Sequence, residues 1–315
     1  MEGSVGIKRV LVLGTFAFAA LFALLASAPQ AKAVTPIPGR MFVLSDNGGT
    51  YGDLFRTRTD NSWKQLTFGL SGPDGLSAAP NGKFAAICAT RNAGGTYRIF
   101  RVSANGGPMK NLIGNRQGCG PAVSPDGRKV AYIQNLPTGV RLLRVVSANG
   151  GKPRTIRKFA ASTSVYGLAW GGKRIFFNQS YEVYSVSART GKDLRQHTND
   201  RGDPRDFFLA DVSTDGKRLL LVVDESFNFV PNVFLRVYKP GGGLVRTVAE
   251  TLSAINRYNF ARFGPAGPSG VVGYLDTTVT PSGLWLAQPG SSWFSGVTPP
   301  TPSIVGPNSF DWVKR

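Results

Sequence analysis

The sequence predicts an all-β fold assembled from a repeated four-stranded antiparallel unit, and three observations predict it. A stretch built around a turn glycine recurs as "SAAPNGKFAAICAT" (77–90), "AVSPDGRKVAYIQN" (122–135), "LAWGGKRIFFNQ" (168–179) and "DVSTDGKRLLLVVD" (211–224), with a looser copy "ARFGPAGPSGVVGYLD" (261–276). The turn glycines Gly82, Gly127, Gly172 and Gly216 are spaced by 45, 45 and 44 residues, and Gly267 follows after 51. A second hairpin repeats in phase: "FRVSANGG" (100–107), "LRVVSANGG" (143–151), "YSVSARTG" (184–191), "LRVYKPGGG" (235–243) and "LWLAQPGSS" (284–292).

Each unit therefore reads strand a, a tight turn, strand b, a loop, strand c, a Gly-containing turn and strand d. Asn-Gly and Gly-Gly between apolar runs favour hairpins because both central residues need positive φ. Runs such as "RLLLVV" (218–223) are almost continuously apolar, as expected of strands covered on both faces. A period in the forties is that of a four-stranded propeller blade. The chain starts at "RMFVLSDNGG" (40–49) with strands b, c and d, and ends at "SFDWVKR" (309–315) with a lone strand a. Pairing the C-terminal strand with the N-terminal strands completes a sixth blade and removes the open edge. The expectation is a six-bladed β-propeller of four-stranded antiparallel blades, spanning residues 34–315 as a single domain.

The repeat resembles that of TolB-type propellers, S-P-D-G followed by a basic residue and an alternating apolar run. "SPDGRKVAYI" is the closest copy and "TDGKRLLLV" the next, whereas "GGKRIFF" lacks the aspartate. The resemblance covers nearly all of residues 34–315 and implies a propeller that serves as an adaptor, a receptor module or an enzyme accessory. The N-terminal domain of TolB has no counterpart in the few residues between Val34 and the first expected strand, which argues against a TolB role as such.

Residues 1–33 read as a signal peptide. Lys8 and Arg9 precede an apolar run, and "AKA" at 31–33 supplies a cleavage site before Val34. The run is long enough to serve alternatively as an uncleaved anchor. No cysteine precedes Cys88, which excludes a lipid anchor at the cleavage site. Loss of Lys8, Arg9, Lys32 and Glu2 lowers the net charge from +19 to +17. An exported chain this basic favours anionic partners such as cell-wall polymers or lipid headgroups. The two cysteines, Cys88 and Cys119, are expected to form a disulfide at the ends of neighbouring strands.

In an up-and-down blade the a–b and c–d turns share one face, and the b–c and d–a loops share the other. The a–b turns place Lys83, Arg128, Lys129, Lys173, Arg174, Lys217 and Arg218 on one basic face. The opposite face is expected to surround a channel mouth, where Tyr166, Phe207, Phe208, Arg257, Tyr258, Asn259, Asn308 and Phe310 lead into successive strands a. Aromatic anchors beside a few polar groups suit a binding pocket. The basic turns carry no interleaved aromatics, so sequence-specific nucleic-acid recognition is not expected.

Catalytic signatures are sparse. His197 is the single histidine and reads as a solvated loop imidazole, and no G-x-S-x-G elbow occurs. Asp200, Asp203 and Asp206, with Asp211 beyond them, are the candidate metal ligands and would suit Ca²⁺, although the D-x-D-x-D-G order of a calcium loop is absent. "NQS" at Asn178 is a glycosylation sequon. The function these features support is a non-catalytic, exported, monomeric binding propeller without a resident cofactor. Its partner would be an envelope or extracellular protein, a peptide, or an anionic polymer or lipid surface. The alternatives are a metal-dependent hydrolase or lactonase using channel-mouth carboxylates, and the accessory propeller of a separately encoded enzyme.

Overall fold

The computed structural model describes residues 39–46, 51–91, 94–199, 205–226, 232–249, 261–276, 283–287, 294–297 and 310–313. All of its long elements are strands. The chain begins with β1 (Arg40–Asp46), β2 (Tyr51–Thr57) and β3 (Trp63–Gln65). Next come β4 (Leu70–Ala78), β5 (Phe84–Thr90), β6 (Arg98–Ser103) and β7 (Lys110–Asn111). A first separate four-stranded sheet contains β8 (Cys119–Val123), β9 (Lys129–Asn135), β10 (Arg141–Ser147) and β11 (Arg154–Phe159). A second contains β12 (Val165–Gly171), β13 (Arg174–Gln179), β14 (Glu182–Ser187) and β15 (Arg195–Gln196). A third contains β16 (Asp206–Val212), β17 (Leu219–Asp224), β18 (Val233–Tyr238) and β19 (Leu244–Ala249). The fourth contains β20 (Ala261–Phe263), β21 (Val272–Asp276), β22 (Gly283–Ala287) and β23 (Phe294–Val297), and β24 (Phe310–Val313) ends the described chain.

These four-stranded antiparallel sheets stand in a propeller arrangement. The remaining eight strands form one sheet in which β24, β1, β2 and β3 are joined to β4–β7. The junction is short: Tyr51 pairs with Ser71 and Gly52 with Leu70. The sequence reading treats these as two blades. They share a sheet because the nine-residue β4 begins early enough for its first two residues to reach the start of β2. The terminal pairing is present, with Asp311 opposite Phe42 and Phe310 opposite Val43.

The S-P-D-G signature has a local cause. The Asp126 carboxylate accepts the Arg128 N–H at 3.0 Å and the Ser124 hydroxyl at 2.6 Å, while Ser124 Oγ accepts the Lys129 N–H at 2.9 Å. Asp215 and Ser213 repeat the arrangement with Lys217 and Arg218 at matching distances. An Asx-type turn of this kind replaces backbone partners that a tight turn cannot supply. The periodic glycines all lie in the left-handed region, with φ from 54° at Gly172 to 76° at Gly216. That region is costly for a residue with a Cβ.

Between neighbouring sheets lie the cores. Ala86, Cys88 and Ile99 pack with Val130, Tyr132 and Val146, and Ile133 and Leu143 pack with Ile175 and Phe177. The pattern continues from β13 to β17, from β17 to β21, and from β22 to β1 and β24. All six residues of β17 are buried, which is why its sequence shows no polar alternation. The first strands pack against one another in order: β4 on β8, β8 on β12, β12 on β16, β16 on β20, β20 on β24 and β24 on β4.

Two glycine substitutions test this account of the turns. A Cβ on Gly127 meets nothing closer than 3.5 Å, so Gly127→Ala is expected to cost the strain alone, about 1–2 kcal/mol. A Cβ on Gly172 would lie 2.7 Å from the Asp215 carbonyl oxygen of the neighbouring turn. Gly172→Ala is therefore expected to lower the urea midpoint by more than Gly127→Ala does.

Candidate functional site

A cavity of about 290 Å³ lies between the first strands β4, β8, β12, β16, β20 and β24. Pro80, Pro125, Thr214 and Pro265 belong to the a–b connections and line its outer end. The cavity thus lies at the a–b face. Sequence reasoning placed a pocket at the opposite face, several of whose connections lie wholly or partly outside the described residues.

One level of the wall shows how the repeat has been modified. Strand pairing makes Ser77, Ala122, Ala169, Asp211, Arg262 and Asp311 equivalent positions on β4, β8, β12, β16, β20 and β24. Three consecutive strands thus present small side chains, and the next three present Asp, Arg and Asp. All six line the cavity. Arg262 is buried and lies with Nε 4.0 Å from Asp311 Oδ1. Its Nη1 donates to the carbonyl oxygens of Ala210 and Ala261.

The two carboxylates also tie neighbouring units together. Asp211 Oδ2 accepts the Phe263 N–H at 2.9 Å, and Asp311 Oδ2 accepts the Ala78 N–H at 2.6 Å. Ser77 Oγ does the same for Val123 N–H at 3.0 Å. Desolvation pushes the Asp211 carboxyl up to about 7, opposed by Arg262 and reinforced by Asp311. Desolvation likewise raises Asp311, against the lowering pull of Arg262 and the hydrogen bonds it accepts. The sequence names Asp211 only alongside the candidate metal ligands, and Arg262 and Asp311 escaped notice, although lining up the repeats one position at a time exposes charges where the other copies carry Ser or Ala.

Several expected site residues are core. Phe207, Phe208 and Phe310 are buried at 4%, 6% and 0% exposure, in clusters between neighbouring sheets. Phe310 lies beside Gly273, where a Cβ would meet its ring at 3.0 Å. Tyr166 is half-buried, its ring 6.4 Å from that of Phe208. Arg257, Tyr258, Asn259 and Asn308 lie outside the described residues. At this end the structure adds Tyr181, 53% exposed, which follows Ser180 in a two-residue turn with φ of 50° and 69°.

The basic turns divide. Lys83, Arg128, Lys129, Lys173 and Lys217 are exposed. Arg174 is half-buried and committed elsewhere, donating to Ser185 Oγ at 2.7 Å and pairing with Asp193 at 2.6 Å. Arg218 is half-buried beside the Lys217 carbonyl.

Cys88 and Cys119 form the expected disulfide, closing a separation of 31 residues between β5 and β8. Closing such a loop stabilises by about 3–4 kcal/mol in the chain-entropy view. Among the described residues, Asp74, Cys88 and Cys119 are the one trio of potential metal ligands close together, and its two sulfurs are bonded to each other. Asp200 and Asp203 lie outside the described residues; Asp206 pairs across the sheet with Asp224.

His197 is not a solvated loop residue. It is buried, accepting the Gly241 N–H at Nδ1 (3.1 Å), so Nε2 carries the proton and donates to Ser185 Oγ at 2.7 Å. Its backbone position repeats that of Leu66 and Leu112: each donates its N–H to strand c of its own unit. The imidazole has replaced a core leucine. Asn178 is likewise buried, bonded through its amide to the Phe207 carbonyl (2.6 Å) and the Leu209 N–H (2.7 Å), so the sequon is sealed in the fold.

Opposite pH effects follow. Desolvation, reinforced by Arg174 and Arg195, lowers His197 to about 4 from an ordinary 6.5, so folding favours the neutral ring. Stability contributed by His197 is expected to fall as pH drops from about 6.5 to about 4, and His197→Leu should remove that slope in denaturation series. Asp211 behaves in the reverse sense. Its contribution is full below the ordinary carboxylate pKa of about 4 and declines as pH rises to about 7. Asp211→Asn retains an acceptor for Phe263 N–H, and its stability relative to the parent should rise across that window and stay constant above it.

No protein-family model matches the chain, and no curated protein matches its sequence. Similarity appears among solved structures. TolB from Acinetobacter baumannii shares 14% identity over 95% of this chain and 71% of its own, with a TM-score of 0.70. A chain of the nidogen/laminin complex shares 12% identity over 87% of this chain and 98% of its own, at 0.60. Oligogalacturonate lyase from Vibrio parahaemolyticus shares 12% identity over 81% and 73%, at 0.55. Likeness at these identities is likeness of backbone, and it agrees with the S-P-D-G turns: the chain has the TolB-type β-propeller fold.

Proposed function

We propose that this chain is an exported, non-catalytic binding propeller of six blades, closed by the pairing of β24 with β1, whose a–b face engages a partner in the cell envelope or outside the cell. The observation that carries the reading is the cavity among the first strands, lined at one end by Pro80, Pro125 and Thr214 of the a–b connections, which also carry the exposed Lys83, Arg128, Lys129 and Lys217. A recess at the face whose turns carry exposed cations favours a partner with an anionic surface, whether an acidic protein segment, a cell-wall polymer or lipid headgroups. The disulfide supports export, because such bonds persist in oxidising compartments. Sequential packing of the first strands, with β24 on β4, supports closure.

The experiment is capture of residues 34–315 on anionic polymer and on envelope extract, at low salt and at about 0.3 M, where screening removes long-range attraction. Changing Lys83, Arg128, Lys173 and Lys217 together to Glu is expected to abolish adsorption at low salt. Undiminished adsorption by that variant would refute the basic face. A protein partner retained at the higher salt by the parent would extend the reading from a charged surface to specific recognition.

A further inference from the structure

Charge balance within the cavity points to a more specific ligand. Asp211 and Asp311 face it with one counter-charge between them, Arg262, and these are the charged side chains among its lining residues. Fully ionised, the trio carries one surplus negative charge on side chains largely withdrawn from solvent. Such a charge is costly unless a proton or a cation neutralises it. The opposite half of the same level is Ser77, Ala122 and Ala169, whose short side chains leave the space that the charged half faces.

We propose that this cavity binds an organic monocation, a primary ammonium or guanidinium group, held against Asp211 and Asp311 with its apolar stem along Ala122, Ala169 and Trp170. The inference rests on the reading of the a–b face as the binding face. A divalent metal fits less well. Arg262 sits between the two carboxylates in the order of the strands and repels a second positive charge, whereas a hard divalent ion needs six or more oxygen ligands. The carboxylate oxygens already accept the N–H groups of Val212, Phe263, Ala78 and Trp312, which fixes their direction before any ligand arrives. A Lys side chain, an Arg side chain or a chain amino terminus on a partner would each present the required group. Acidic residues flanking it would meet the surrounding basic turns.

The test uses n-butylammonium and n-butylguanidinium as probes, n-butanol as the neutral isostere, and Ca²⁺ as the metal. Tryptophan fluorescence is the readout, because Trp170 and Trp312 line the cavity. Saturable binding of the two cations but not of butanol is expected, strengthening by about tenfold or more between about pH 6 and about pH 8 as the competing proton leaves. Asp211→Asn should weaken binding by at least about tenfold through loss of the surplus charge. Ala122→Leu, which fills the small half and leaves every charge in place, should also abolish it. The quadruple Glu variant of the basic turns should still bind the cations while losing polymer adsorption, so failure of the cavity and failure of the face are separately visible. Equal binding of butanol, displacement of the ammonium by Ca²⁺, unchanged affinity in both cavity variants, or no saturable signal would each overturn the proposal.

Discussion

The first strand of every unit has a paired neighbour on one side and the common cavity on the other, and its unpaired backbone groups must be satisfied there. At three of these strands a side chain of the preceding unit takes the place of a ladder partner. Asp311 reaches Ala78, Ser77 reaches Val123, and Asp211 reaches Phe263, in each case from one first strand to the backbone of the next. These clasps hold neighbouring units in register where their apolar cores end. Much else follows from them. A carboxylate serving as a clasp must sit at the cavity wall, and the charge it brings there sets the chemistry of the recess.

The repeat is thus a scaffold on which single positions have been changed. His197 occupies a place filled by Leu66 and Leu112 in other units, and trades apolar packing for hydrogen bonds to Ser185 and to the turn at Gly241. Glu182 and Thr198 in one unit correspond to Asp53 and Thr67 in another, where the threonine hydroxyl in both cases accepts the next N–H of strand c. Asn178 spans two sheets by using its amide as donor and acceptor. Each departure is paired with a partner on a neighbouring strand, which is how buried polar groups are tolerated.

Local chemistry was the legible part of the sequence. The turn glycines, the Ser-Asp pairing around Gly127 and Gly216, the apolar run of β17 and the cysteine pair all follow from a few adjacent residues or a short closed loop. The cavity was hidden because its level is set by residues about fifty positions apart, each unremarkable alone. Asp211 reads as the tail of a loop cluster of aspartates until its place in β16 is known, and Arg262 and Asp311 stand in the least regular copies of the repeat. Phe207 and Phe310 were misjudged for a related reason. An aromatic entering a first strand can face the cavity or the neighbouring sheet, and strand alternation decides which only once the register is fixed.

The pairing of β24 with β1 has a consequence for how the chain comes to be folded. Phe42 cannot meet Asp311 until all of the intervening chain has been synthesised, and Asp311 is also the clasp for Ala78. Contacts so remote in sequence form slowly, because a long loop must be closed before they contribute. The sheet that holds β1 and β2 therefore waits on β24.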